Sequence, residues 1–282
     1  VALVGESGCG KSVTAMALAD LLGPTSETRY ESFTFRGQPV RDGTALDRAS
    51  LRGHGLAYVF QDPMATFNPV FTIGTQVGET IAGDGTRAGR RNAVHESLRA
   101  AGLKDPVRVA RSYPHELSGG MLQRAAIAMA LTCRPAVLVA DEPTTALDVT
   151  IQAQIMELLH GLQAREHMGI ILITHNLALV AGNASTVHIM YAGLIVEQGP
   201  IRDVLAAPYH PYTRGLLKAI PRLTSKRAPL VPVPGVVPRA GTIVDGCRFA
   251  PRCSMATGEC RRDLPPLEDA GGNRKVRCLY WK

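Results

Sequence analysis

Eight residues near the start of the chain, Gly5, Glu6, Ser7, Gly8, Cys9, Gly10, Lys11 and Ser12, spell GESGCGKS. The pattern G-x4-G-K-[ST] suits phosphate. Its glycines let backbone N–H groups close on phosphate oxygens, Lys11 reaches the β/γ oxygens, and the Ser12 hydroxyl is a Mg²⁺ ligand. A glycine turn beside an incidental surface lysine has no need of that order. Further along, Asp141 and Glu142 follow the apolar run from Val137 to Ala140. Asp141 is placed to hold Mg²⁺ through water, and Glu142, one residue on and pointing elsewhere, to polarise an attacking water. Adjacent acids at a strand end are often only a solvated turn or a cap. Here DEPTTALD continues to Asp148, which makes that bland reading the weaker one.

Between these two sites lies LSGGMLQR, Leu117 to Arg124. Ser118, Gly119 and Gly120 open a helix there, and the free N–H groups and positive dipole end of a helix N-terminus form a second anion site. A chain with two anion sites of different kind fits half of a nucleotide sandwich. Gln61 ends an apolar strand, where a carboxamide can bond both Mg²⁺ and the attacking water. His175 follows the run Ile170 to Thr174, a position from which an imidazole can contact the γ-phosphate and hold the water and Glu142 in line. Alone, each of these two residues would carry little information.

The elements that must position them follow from periodicity. Val1 to Val4 reads as a strand and Ser12 to Leu22 as a helix, giving strand, loop, helix around the phosphate pattern. Gly23 to Gly53 reads as a peripheral antiparallel piece, and Leu56 to Phe60 as a second strand. Ile73 to Ile81 and Ala88 to Ala101 carry helical spacing, as does the stretch after Leu117 up to Thr132, so residues 73–132 form a small helical subdomain. Val137 to Ala140 and Ile170 to Thr174 are strands separated by the helix Ile151 to Arg165. This alternation predicts an α/β fold with a parallel, doubly wound sheet, its functional loops at the carboxyl ends of the strands. Gly193 to Gly199 is a hairpin-like closing segment. Pro221 to Pro238 holds five prolines in eighteen residues and reads as an extended linker before a cysteine-bearing end.

The net charge of +7 is unevenly distributed. Residues 1–213 hold 17 Lys/Arg against 19 Asp/Glu, and residues 214–282 hold 14 against 5, so the basic excess belongs to the tail. Its basic residues are interleaved with Pro and Cys, as on a solvated surface, and no nucleic-acid partner is expected. No apolar run approaches the length of a membrane span, so a membrane role must come through a partner. The chain opens at Val1 directly in a strand, with no signal segment, which reads as a shortened N-terminus.

In order, these motifs resemble the Walker A, Q-loop, signature, Walker B, D-loop and switch histidine of the nucleotide-binding subunits of ABC transporters, over Val1 to about Gly199. The resemblance implies a P-loop NTPase (RecA-like) cassette, residues 1–205, that binds ATP and Mg²⁺. Phosphate contacts fall to Gly5 to Ser12, the Mg²⁺ site to Ser12, Gln61 and Asp141, and catalysis to Glu142, His175 and Gln61. Ser118, Gly119, Gly120, Gln123 and the D-loop residue Asp148 face the nucleotide of an opposing cassette. A closer resemblance lies in YVFQDPMATFNPVFTIG (Tyr58 to Gly74), HELSGGMLQR, YHPYTRGLLKAIPRL (Tyr209 to Leu223) and CRFAPRC. These are similar to the ATP-binding proteins of the bacterial dipeptide/oligopeptide importers, a family that includes nickel systems. It implies an extension over residues 206–282, transmembrane permease partners, a second ATP-binding subunit, identical or different, and indirectly a periplasmic or extracellular solute-binding protein. The subunit would sit peripherally on the cytoplasmic face of the membrane. A soluble ABC ATPase of DNA repair or translation is the rival class, and it usually carries paired cassettes, coiled coils or zinc insertions not seen here. Two departures stand out. The upstream segment with its adenine-stacking aromatic is absent, and Leu122 replaces the usual Arg in the signature, removing a charge near the expected dimer interface.

Cys247, Cys253, Cys260 and Cys278 cluster at spacings x5, x6 and x17, with no His after His210. Three readings stay open for them: an iron–sulfur centre, since similar tails in this family can carry a [4Fe–4S] centre, an all-thiolate zinc site lacking the usual close C-x2-4-C pairs, and free thiols.

Overall fold

The computed structural model describes residues 1–81, 85–220, 232–238, 241–242 and 245–282. From the N-terminus come β1 (Ala2–Val4), α1 (Lys11–Leu18), the hairpin strands β2 (Thr34–Phe35) and β3 (Gln38–Pro39), and β4 (Leu56–Val59). Helices α2 (Pro63–Thr66), α3 (Ile73–Glu79), α4 (Arg87–Ala100), α5 (Pro106–Arg111) and α6 (Gly119–Leu131) follow. Then come β5 (Val137–Asp141), α7 (Val149–Glu166), β6 (Gly169–Thr174), α8 (Leu177–Ala181), β7 (Thr186–Tyr191) and β8 (Leu194–Pro200). The chain ends with α9 (Ile201–Ala206), α10 (Pro211–Lys218), β9 (Glu268–Gly271) and β10 (Arg274–Val276). Packing divides it into two units, Val1–Thr14 with Leu172–Lys282, and Ala15–Ile171.

In the first unit, β1 lies parallel between β6 and β7, with Val4 opposite Thr174 on one side and Ile189 on the other. A short, wholly apolar strand is what such a central position demands, since both of its faces are covered. β7 turns back into antiparallel β8 through Ala192 and Gly193, both at positive φ, the backbone a two-residue hairpin requires. β10 pairs antiparallel with β8 (Val276 opposite Glu197), and β9 pairs with β10. The apolar interior gathers Val4, Val187, Ile189, Tyr191, Val196, Leu177, Val180, Ile201, Val204, Tyr212 and Phe249. Each such side chain contributes about 1.5–3 kcal/mol when fully buried. The hairpin expected at Gly193 to Gly199 is therefore only the second arm. Its partner β7 was not anticipated, because His188 interrupts the apolar pattern of the segment. Most of the linker expected over Pro221 to Pro238 lies outside the described residues.

A buried clasp fixes the YHPYT segment in this unit. Glu197 is fully buried; its carboxylate accepts hydrogen bonds from the amides of Tyr209 and His210, at 2.9 Å each, and from Arg274 Nη2 at 2.8 Å. The Arg274 guanidinium also lies 3.6 Å from the Tyr209 ring centroid. His210 caps α10, its Nδ1 accepting from the Tyr212 amide at 3.1 Å, which needs a neutral ring. Burial, aided by the charge of Arg214, pushes His210 down to about 3. Unfolded, the same ring titrates near 6.5. Below about pH 6.5 the unfolded chain therefore binds a proton that the folded chain refuses. This contribution to stability is complete above that value and declines by about 1.4 kcal/mol per pH unit until about pH 3. Denaturant unfolding at pH 7 and pH 5 should accordingly show a shallower acid loss in His210→Gln than in the parent; equal slopes would place the sensitivity elsewhere.

In the second unit β4 and β5 run parallel, with Leu56 opposite Val137 and Val59 opposite Ala140. Asp62 caps α2 by accepting from the amides of Met64 and Ala65, and Thr72 caps α3. Helices α3 to α6 pack on one another as the helical subdomain. Within α6, Leu122 is only 1% exposed. The position is therefore a core position in this unit, and an apolar side chain fills it without leaving a charge to be paired.

Candidate nucleotide site

The phosphate loop leaves β1 at Gly5. A Cβ there would stand 2.2 Å from the Met190 carbonyl oxygen, so strand packing alone requires glycine. Gly8 and Gly10 hold φ of +81° and +103°, the left-handed region that glycine adopts freely. Lys11 is buried, its Nζ donating to the carbonyls of Gly5 at 2.8 Å and Glu6 at 3.1 Å. The Gly193 amide donates to the Cys9 carbonyl at 2.8 Å and braces the loop from behind. Cys9 is buried, and that burial pushes its thiol up, which keeps it neutral and unreactive. Helix α1 starts at Lys11, so the first amides of the helix are available to an anion. Ser12, half-buried, stands in its first turn, and His175 is the exposed residue directly after β6.

The second unit brings three expected residues together. Asp141 ends β5 and is 4% exposed. Its Oδ2 accepts from Tyr58 Oη at 2.7 Å, while Oδ1 is buried without a hydrogen-bond partner among the described residues. An orphaned carboxylate oxygen at a strand end fits the role of holding Mg²⁺. Glu142 follows at φ +47°, in the left-handed region, and its carboxylate has partners different from those of Asp141. Its Oε2 accepts from Gln61 Nε2 at 3.1 Å and from Thr145 Oγ1 at 2.8 Å. Tyr58 and Thr145 were not selected from the sequence. Tyr58 lies opposite Val139 in the β4–β5 register, a pairing that only the folded sheet reveals; Thr145 stands in the turn closed by its amide on the Glu142 carbonyl. Burial, then the Asp141 bond, pushes the Tyr58 phenol well up, so it stays a donor.

In the signature segment Ser118 caps α6, its Oγ accepting from the Met121 amide at 3.4 Å. A Cβ on Gly120 would meet Ile151 Cγ2 at 2.9 Å, so this glycine is needed for the approach of α6 to α7 whatever it does with phosphate. Gln123 is 2% exposed, with Nε2 buried and unpartnered among the described residues. Asp148 caps α7 by accepting from the Ile151 amide at 2.9 Å, a bond worth about 1 kcal/mol.

Of the three readings of the tail thiols, the two that invoke a metal find no support in the structure. Among the described residues no group of three or more His, Cys, Asp or Glu side chains is arranged to hold a metal ion, and the cysteines are free of disulfides. Cys247, Cys253, Cys260 and Cys278 do border one small cavity, of about 20 Å³, but its other walls include Phe249, Ala250 and Pro265. Burial pushes the thiols of Cys247, Cys253 and Cys278 up, toward the protonated form that binds metal poorly. An iron–sulfur or zinc centre is thus unsupported. Spacing placed the four side chains near one another without showing that their surroundings are apolar.

A glycine-rich loop with a buried lysine, and a carboxylate pair at a strand end, define a nucleoside-triphosphate-hydrolysing cassette. The profile described as ABC transporter matches residues 1–145, and one described as oligopeptide/dipeptide transporter, C-terminal region, matches residues 196–260. A putative peptide import ATP-binding protein of Brucella ovis is 47% identical over 301 residues, spanning 100% of this chain and 88% of its own length. The dipeptide transport ATP-binding protein DppD of Escherichia coli (strain K12) is 45% identical over 282 residues, spanning 99% and 86%. Among solved structures, CbiO1 of Clostridium perfringens, part of the ABC transporter complex CbiONQ, matches with a TM-score of 0.62 at 29% identity over 73% of this chain and 78% of that one. A dimeric ATP-binding cassette in a post-hydrolysis state with ADP and Pi matches with a TM-score of 0.60 at 27% identity, over 71% and 84%. The chain belongs to the ABC transporter ATP-binding family, and its activity is ATP hydrolysis coupled to transport. No helix among the described residues is long and apolar enough to cross a membrane.

Proposed function

We propose that this chain powers the import of dipeptides or oligopeptides, docked peripherally on the cytoplasmic side of a two-permease channel as one of two ATP-binding subunits. The observation that carries the peptide assignment is the C-terminal region at residues 196–260, which matches the oligopeptide/dipeptide transporter extension and not merely the cassette common to all such ATPases. The names of the relatives at 45–47% identity support the same reading.

In the proposed cycle Lys11 and the amides of Gly8 to Ser12 hold the β- and γ-phosphates. Ser12, Asp141 and Gln61 would hold Mg²⁺, which neutralises charge on the phosphates when bound. Glu142 takes a proton from the attacking water, and Gln61 with Thr145 fixes the orientation of its carboxylate. His175 contacts the γ-phosphate. Ser118, Gly119 and Gly120 face the nucleotide of the opposing cassette with the α6 N-terminus, and closure of the pair drives the permease. Residues 1–205 act as the cassette and 206–282 as the extension.

The test is reconstitution with the permeases and solute-binding protein of a peptide importer from the same organism. ATP hydrolysis should rise when the binding protein carries a dipeptide or oligopeptide. A rise with Ni²⁺ alone would move the cargo to metal. Hydrolysis indifferent to every loaded binding protein would remove the import role.

A further inference from the structure

Glu6 is the one acidic residue of the phosphate loop, and a carboxylate there opposes the binding of an anion. The C-terminal extension covers it from 246 residues away in sequence. Arg252 donates Nη1 to Glu6 Oε2 at 2.7 Å and Nη2 to Oε1 at 3.1 Å, a two-point pairing of guanidinium and carboxylate. The Arg252 side chain is 5% exposed, and further bonds to the carbonyls of Val233, at 3.0 Å, and Pro234, at 2.6 Å, lock it in place. Its guanidinium also faces the rings of Tyr191 and Phe249, with centroids at 5.6 and 5.9 Å. The backbone of the same loop residue is held as well, because the Glu6 amide donates to Tyr212 Oη at 3.0 Å. On the other flank, Arg248 donates to the carbonyl of Ala192, next to the Gly193 amide that braces Cys9.

We infer that Arg252 is a positioning residue for nucleotide binding: it cancels the Glu6 charge and, with Tyr212, fixes the entry to the phosphate loop, so that the extension sets the affinity of the cassette for ATP. An ion pair that merely anchors the tail would affect stability only. Cancellation of charge has a different signature, since removing either partner should move ATP affinity in opposite directions. The inference rests on Gly5 to Ser12 being the phosphate loop.

The experiment measures MgATP affinity, KM and kcat in the full chain assembled with its transport partners. Arg252→Ala should raise KM and Kd about tenfold, with kcat changed by less than about twofold. Glu6→Gln should tighten binding by about threefold, because Arg252 then faces the triphosphate uncompensated. The double variant should return to within about threefold of the parent, and Arg252→Lys should recover part of the loss. If Arg252→Ala binds ATP as the parent does, or if the double variant is as weak as Arg252→Ala, the inference fails. Should Arg252→Ala not fold by thermal melting, the sign of the Glu6→Gln change decides alone, and looser binding would overturn the inference. Lys11→Ala is the control for the underlying reading. If it keeps full ATP binding, the phosphate loop itself is misassigned, whatever Arg252 does.

Discussion

Glu142→Gln should hold ATP and hydrolyse it at least about 10²-fold more slowly than the parent. The substitution preserves the volume of the side chain and leaves Thr145 Oγ1 an oxygen to donate to. What goes is the basic carboxylate, and with it the acceptor for the proton of the attacking water. Affinity should survive because Lys11 and the loop amides belong to a different stretch of chain. The rate loss should therefore appear in kcat, with ATP-bound pairs of cassettes accumulating on size exclusion. Turnover within about threefold of the parent would take Glu142 out of the catalytic role. The left-handed backbone at Glu142 makes a second point: the residue holds an uncommon conformation that its neighbours must sustain, as functional positions often do.

Glu197→Ala should be the most damaging substitution away from the nucleotide, costing about 3–5 kcal/mol of stability. It strips the ionic partner from Arg274, which is 7% exposed at its side chain and keeps the Ala207 carbonyl, and leaves the amides of Tyr209 and His210 without their acceptor. The loss should show in denaturant midpoint and melting temperature alike. Glu197→Gln, which keeps an oxygen for one amide but removes the charge, should fall between. A loss under about 1 kcal/mol for the alanine variant would mean that Arg274 finds water or another acceptor when released.

The chemistry of the site was legible because it is written in contiguous residues. GESGCGKS and DEPTTALD are contiguous patterns that suit phosphate and Mg²⁺, and strand-loop-helix periodicity around them places both without long-range information. What escaped was non-local. Tyr58 meets Asp141 from 83 residues away, and Arg252 meets Glu6 from 246 away. No local pattern distinguishes those two from any other tyrosine or arginine. Gly120 and Leu122 carry a further non-local demand, since the approach of α6 to Ile151 needs the one and the core around α6 buries the other, and the signature motif by itself shows neither. The β9–β10 hairpin was missed because EDAGGNRKV is polar and short, and it is held as a strand pair by β8 and not by its own propensity.

That hairpin has a consequence unrelated to nucleotide. Without β10, the strand carrying Leu194, Ile195 and Val196 would end the sheet with a row of unpaired amides and carbonyls, the template on which two chains join edge to edge. The Arg277 amide, donating to the Val196 carbonyl at 2.8 Å, and the pairs Lys275–Gln198 and Val276–Glu197 occupy that row. The new outermost strand, β9, is four residues long and begins with Glu268 and Asp269, so like charges now face any incoming copy. A chain cut before Arg274 should therefore aggregate through β8 even where its phosphate loop is intact.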